Sequence, residues 1–279
     1  MPPVSTPTPP TAFATRIRRL ALEAIAKAGS GHPGGSLSIA DILATLYGEG
    51  VLRHRPREPG WPDRDRLVLS KGHGCPALYA AIALAGGADP ATLTTLRKLD
   101  SPFQGHPDRR KWAAMEASTG SLGQGLSLAI GMALGQRAAG KGARTYCILG
   151  DGECQEGQVW EAAMLAPHLA LDNLCAIVDF NKIQLDDHCA KILEVEPFAD
   201  KWRAFGWDTV ELDGHDPLAL STAFARFAGP RARKPLAIVA HTVKGKGVSF
   251  MEDAPKWHGI APSADELKKA LAELEGATR

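Results

Sequence analysis

The sequence predicts an α/β fold, a parallel sheet with helices on both faces. Three short apolar runs, residues 145–149, 174–179 and 236–240, carry no polar/apolar alternation and are too brief for helices, so they read as strands buried on both sides. Between them lie segments with helical spacing of apolar residues, and Gly/Pro-rich loops separate the two kinds of segment. With 44% hydrophobic and 23% charged residues, the 279-residue chain has the material for a large buried core. Its 32 Lys+Arg against 31 Asp+Glu lack the cationic excess of a polyanion binder, and 6% aromatics are too few for base-stacking platforms.

Residues 1–11 are Pro-rich with no apolar signal core and read as a disordered tail ahead of one domain, 12–279. Residues 12–28 space Phe13, Ile17, Leu20, Ala21, Ala24 and Ile25 as a helix, which Gly29 closes. A second helix starts near Ser38, with Ile39, Ile42, Leu43 and Leu46 on one face. Residues 52–66, with three prolines and many charges, form a surface loop leading into a strand at 66–70. A long helix runs to about Arg137, the strand 145–149 follows, and a helix spans 157–168 before the strand 174–179. Strands at 207–212 and 236–240 flank a helix with Asp216 as N-cap and Pro217 at its first position. Ser263 and Glu266 form a capping box for a last helix striped by Leu267, Leu271 and Leu274. Five cysteines, odd in number and without CxxC spacing, fit a reducing cytosol better than a disulfide framework or a zinc site. No apolar stretch reaches the ~20 residues that cross a bilayer.

In open parallel sheets ligands bind at the carboxyl ends of strands. Gly150-Asp151-Gly152 follows one strand, and Asp179-Phe180-Asn181 ends the next. If the strands are neighbours, a carboxylate, an amide oxygen and a backbone carbonyl converge, a hard-oxygen set suited to Mg²⁺ bridging a diphosphate. Each piece alone reads more readily as an ordinary turn Asp or Asn cap, but the pair at this spacing favours the metal. His32, His73 and His106 each follow a glycine in a breaker-rich loop, and His258 ends another such loop; together they suggest a shared site for hydrogen bonding to anions and proton transfer. His54, His168 and His188 carry no chemistry on this reading, His215 is structural, and His241 is undecided. Residues 118–125, Ser-Thr-Gly-Ser-Leu-Gly-Gln-Gly, would let a cofactor lie against the backbone, although the pattern matches no Walker or dinucleotide fingerprint. Thr242-Val-Lys-Gly-Lys-Gly247 reads equally as a lid over phosphates or as a solvated loop.

The ordered set Ser30-Gly-His-Pro-Gly-Gly35, Lys71-Gly-His73, Gly105-His-Pro107, the 118–125 loop, Gly150-Asp-Gly-Glu-Cys-Gln-Glu-Gly157 and Asp179-Phe-Asn181 resembles the N-terminal part of the transketolase family. The resemblance implies a thiamine diphosphate-binding fold. It implies Asp151, Asn181 and the Ile183 carbonyl as ligands of Mg²⁺, with Ca²⁺ or Mn²⁺ as substitutes. His73, Gly152 and His258 would contact the diphosphate and Gly120 and Leu122 would lie against the cofactor; Asp151, Glu153 and Asn181 complete that binding set. His32, His106 and His258 would face substrate hydroxyls and assist proton transfer, and Glu156 would help connect two cofactors across a dimer. The sequence stops where the family continues into a pyrimidine-binding domain and a C-terminal domain. It therefore resembles the N-terminal subunit of a two-polypeptide transketolase, inactive alone, moving a two-carbon ketol unit from a ketose phosphate to an aldose phosphate. The implied partner is a C-terminal subunit, the implied assembly α2β2, the compartment cytoplasmic, with no nucleic acid or membrane involved. The Gly-His-Pro loops disfavour the α subunit of a 2-oxo acid dehydrogenase, and the intact Asp151/Asn181 pair disfavours a non-catalytic paralogue.

Overall fold

Strand residues whose side chains alternate between two apolar environments build the sheet. The computed structural model describes residues 10–229 and 233–276. Its strands are β1 (Arg66–Leu69), β2 (Thr145–Gly150), β3 (Leu174–Phe180), β4 (Asp208–Asp213) and β5 (Leu236–His241), all parallel in the order β1-β2-β3-β5-β4. Tyr146, Ile148, Cys175, Ile177, Leu236 and Ile238 enter one core, while Cys147, Leu149, Ala176, Val178, Ala237 and Val239 enter the other. Burial of both faces explains why the central strands read as unbroken apolar runs. β1 and β4 are the two edge strands; β4 is polar and partly exposed, which blunts an open edge against further strand pairing.

The first core packs under α1 (Pro10–Ala28), α3 (Ala40–Gly48), α4 (Cys75–Leu84) and α9 (Pro217–Ala228). The second packs under α5 (Gly125–Ala138), α6 (Gly157–His168) and α8 (Phe198–Ala204). Two shorter helices, α2 (Pro33–Ser38) and α7 (Cys189–Ile192), line the strand tips, and α10 (Ala264–Gly276) ends the described chain. A third, smaller core joins Leu22, Leu37, Val248, Met251, Trp257, Ala270 and Leu274, fastening α10 and the 242–258 segment to α1 and α2.

The five strands, α1, α5, α6 and α9 form where the sequence pattern places them. Asp216 accepts from the Leu218 N–H at 2.9 Å, and Ser263 and Glu266 exchange both capping-box hydrogen bonds. All five cysteines are buried thiols, outside any disulfide. Most of the expected tail, residues 1–9, lies outside the described residues; Pro10 and Thr11 already belong to α1 because Pro is well suited to a helix start. The helix expected from Ser38 is two, α2 and α3, broken at Ile39. α4 has no sequence signature of amphipathicity, since nine of its ten residues are buried.

Candidate active site

β2 and β3 are hydrogen-bonded neighbours, and Gly150 pairs in register with Asp179. Asp151 and Asn181, each one residue beyond its strand, therefore stand side by side. Asp151 Oδ1 accepts from the Gly152 N–H at 2.8 Å and Oδ2 from the Lys182 N–H, so the second strand exit holds the first strand's carboxylate. Asn181 Oδ1 accepts from the Ile183 N–H at 3.1 Å. Its Nδ2 donates to Asp179 Oδ2 at 2.8 Å, which fixes the amide's orientation.

Asp179 is wholly buried and anchors the site from below. Besides Asn181 it accepts from Lys71 Nζ at 2.5 Å, from the Ser38 hydroxyl at 2.8 Å and from the Thr242 hydroxyl. Burial, the largest single influence, would raise its pKa, but the Lys71 charge and the hydrogen bonds from Lys71, Thr242 and Ser38 together outweigh it and hold the carboxyl below the usual carboxylate range. Asp151 lacks a direct cationic partner, and burial and the nearby Asp179 charge push it up to about 7. A buried carboxylate in that condition is suited to a cation.

An ammonium group already reaches this oxygen set. Lys244 is 2% exposed; its Nζ donates to the Ile183 carbonyl at 3.0 Å and to His258 Nδ1 at 2.8 Å. Burial, then repulsion from Lys71, lowers it to about 8. Because His258 Nδ1 accepts, the neutral ring carries its proton on Nε2. Gly34 makes room for this lysine: a Cβ there would fall 2.9 Å from Lys244 Cγ and from the Trp257 carbonyl.

The four loop histidines converge. Ring centroids are 5.3 Å apart for His32–His73, 6.1 Å for His32–His106, 5.5 Å for His32–His258 and 5.1 Å for His73–His258. Burial and the neighbouring cations depress all four, His32 to about 4 and His258 to about 3, so the cluster is neutral at neutral pH. His32 Nδ1 is buried with no hydrogen-bond partner. A polar group placed there by a ligand would complete it.

The 118–125 loop is bound to both strand tips. The Thr119 hydroxyl donates to the Leu69 carbonyl at 2.7 Å, and the Gly125 N–H to the Ser70 hydroxyl oxygen at 3.0 Å. Glu153 accepts from the Gly123 N–H at 2.9 Å, the Gly150 N–H at 3.0 Å and the Ser70 hydroxyl. Its carboxylate is thus committed to holding the loop against β2, rather than standing open as a cofactor contact. Gly120 adopts φ +137°, and a Cβ on it would strike the His106 ring at 2.9 Å. Leu122 is partly exposed nearby, and Glu156 is exposed at the start of α6. A cavity of about 210 Å³ lined by Asp151, Phe180, Lys182, Cys189 and Val195 opens beside the strand tips. Among the described residues no three His, Cys, Asp or Glu side chains form a metal cluster, because the oxygen set here mixes carboxylate, amide and carbonyl.

A family model described as "Transketolase, thiamine diphosphate binding domain" matches residues 10–276. The chain belongs to the transketolase family. It is 47% identical over 260 residues to the 6-deoxy-6-sulfo-D-fructose transketolase subunit SqwG of Clostridium sp. (strain MSTE9), covering 93% of this chain and 94% of that protein. It is 38% identical over 257 residues to one of the subunits named for the apulose-4-phosphate transketolase of Phocaeicola vulgatus, covering 92% and 90% respectively. The solved transketolase of Leishmania mexicana superposes with a TM-score of 0.91 at 32% identity, over 97% of this chain but only 42% of that one. The chain is thus as long as the subunit relatives and spans about two-fifths of the long transketolases. Their fold is the thiamine diphosphate-binding α/β fold described above.

Three buried residues of this transketolase-family site carry no role in the sequence reading: Lys71, Asp179 and Lys244. Lys71 and Asp179 lie inside motifs that were legible, directly after β1 and near the end of β3, where ligand-facing residues are expected. Lys244, between Val243 and Gly245, lies in a segment whose sequence reads equally as a lid over phosphates or a solvated loop, and only its burial separates the two.

Proposed function

We propose that this chain is the thiamine diphosphate- and Mg²⁺-binding subunit of a two-polypeptide transketolase, which transfers a two-carbon ketol unit from a ketose phosphate, or a similar anionic ketose, to an aldose phosphate. One observation carries the reading: the Asp151–Asn181–Ile183 oxygen set at adjoining strand tips is joined through Lys244 to a cluster of four neutral histidines. Hard oxygens suit Mg²⁺, and buried Lys244 and the ring N–H groups suit a diphosphate.

In this reading Asp151, Asn181 and the Ile183 carbonyl hold the metal. His73, Gly152, His258 and Lys244 hold the diphosphate, and Gly120 and Leu122 lie along the cofactor while Glu153 fixes their loop. When bound, thiamine diphosphate supplies the electron-accepting ring that carries the two-carbon unit. His258, its Nδ1 taken by Lys244, offers Nε2–H to an oxygen that gains negative charge. His32 and His106, uncharged, can take a proton from a ketose hydroxyl and return it, an effect worth ~10²–10⁴-fold in rate. Glu156, exposed just ahead of α6, is positioned to meet a second subunit. The relatives of equal length are named for a sulfonated ketose and a phosphorylated one, which supports an anionic ketose as donor. Their subunit names support a C-terminal partner, with α2β2 as the proposed assembly. Five cysteines held as thiols support a cytoplasmic site, and among the described residues no helix is long and apolar enough to cross a membrane.

The test mixes the purified chain with its complementary subunit, thiamine diphosphate and Mg²⁺, and follows ketol transfer from a ketose phosphate beside decarboxylation of a 2-oxo acid. Transfer is expected only with both subunits, and Asp151→Asn abolishes it. Transfer by this chain alone, or a 2-oxo acid as donor, overturns the proposal.

A further inference from the structure

His215 lies outside the histidine cluster, yet both of its ring nitrogens are engaged. Nδ1 is 2.7 Å from Asp41 Oδ2, and Nε2 accepts from the Val243 N–H at 2.9 Å. A carboxylate only accepts and a backbone N–H only donates, so both contacts hold together in one form, the neutral ring protonated on Nδ1. Asp41 is itself fixed: Arg18 donates to both carboxylate oxygens and, through Nε, to the Leu37 carbonyl at 3.2 Å. Asp41 and Arg18 are each under a tenth exposed.

What this chain of contacts grips is the exit of β5, which carries Lys244. Along that exit the Thr242 N–H donates to the Phe180 carbonyl at 3.2 Å and the Gly245 N–H to the Gly34 carbonyl at 3.1 Å. Between them, the Val243 N–H has His215 as its acceptor. Gly214 brings the β4–α9 loop close enough for this contact; a Cβ there would sit 2.4 Å from Thr242 Cγ2.

We infer that His215 is a positioning residue: it relays the Arg18–Asp41 anchor to the Val243 N–H and so sets Lys244 Nζ between the Ile183 carbonyl and His258. It rests on the reading above for the importance of Lys244 and His258, but its geometry stands on the chain alone.

Three variants separate the two ring contacts. His215→Gln can present an oxygen near the place of Nε2 and keeps the acceptor; His215→Asn keeps a donor toward Asp41 but falls short of Val243; His215→Ala keeps neither. Hydrogen exchange of the Val243 amide in the purified chain is expected to stay nearer wild type in Gln, which loses only the tie to Asp41, and to be about two- to tenfold faster in Asn and Ala, the span of one net hydrogen bond. Acylation of the Lys244 amine is expected to quicken in the same two. With the complementary subunit present, titrated Mg²⁺–thiamine diphosphate binds more weakly to Asn and Ala, and Gln restores it. Equal Val243 exchange in wild type, Asn and Gln overturns the inference, as does rescue by Asn equal to that by Gln, which would reduce His215 to a tie on Asp41. If the exchange pattern holds but wild type binds no Mg²⁺–thiamine diphosphate, the functional proposal fails and the positioning role stands.

Discussion

His32 condenses the electrostatics of the site into one ring. In the unfolded chain it titrates near 6.5, whereas burial, then Arg97, His106, Lys244 and Lys71, lowers it to about 4 in the native state. Between those values the unfolded chain binds a proton that the folded chain does not, so stability falls as pH is lowered from about 6.5 to about 4. His73 and His258 act in the same direction. His32→Gln is expected to flatten part of this acid slope, read from urea midpoints between neutral pH and pH 4; an unchanged slope would show that the ring is not the buried base described. At this scale the sequence was informative where chemistry and position coincide. Asp151 and Asn181 were legible because an acid and an amide at consecutive strand ends are ligand-type residues in a ligand-type place. Glu153 sits in the same motif, but its destination depends on Ser70 and Gly123, far away in the chain, and no local pattern reveals that.

Two glycines of one helix test how α5 is seated. A Cβ on Gly125 would lie 2.7 Å from Ser70 Cα and closer still to its side chain, so Gly125→Ala forces the helix start away from the β1 tip at a cost of about 1–3 kcal/mol. Gly131 has nothing within 4 Å, and Gly131→Ala is expected to raise the isolated chain's stability by up to about 1 kcal/mol. Urea denaturation of the two variants should move in opposite directions; movement together would contradict this seating. The same contrast explains which elements were legible. Helices with one wet face, such as α1 and α9, announce themselves through spacing. α4 is enclosed by α1, α2 and α3 in the first core, and its all-apolar sequence carries no period to read.

Across the whole molecule, the third core couples a distant helix to the site. Leu274 of α10 shares it with Val248, Met251 and Trp257, the residue before His258. Leu274→Ala is expected to cost about 2–5 kcal/mol. It should also speed hydrogen exchange through residues 243–258 while β2 and β3 remain protected. Loss of protection throughout the sheet would mean that α10 and the loop do not form a separable unit. The 242–258 segment, open in sequence between a lid and a solvated loop, is in the fold a packed strap with Lys244 on its inner side.

The sequence by itself determined the sheet strands, the helix caps and the acid–amide pair, because each depends on residues a few positions apart along a chain of fixed geometry. Tertiary structure alone decided that Asp179 anchors the site, that Lys244 points inward, and that His73, His106 and His258 gather around His32, each ring about 5–6 Å from it. Those outcomes depend on which distant side chains compensate a buried charge, and that compensation exists only after the cores have packed.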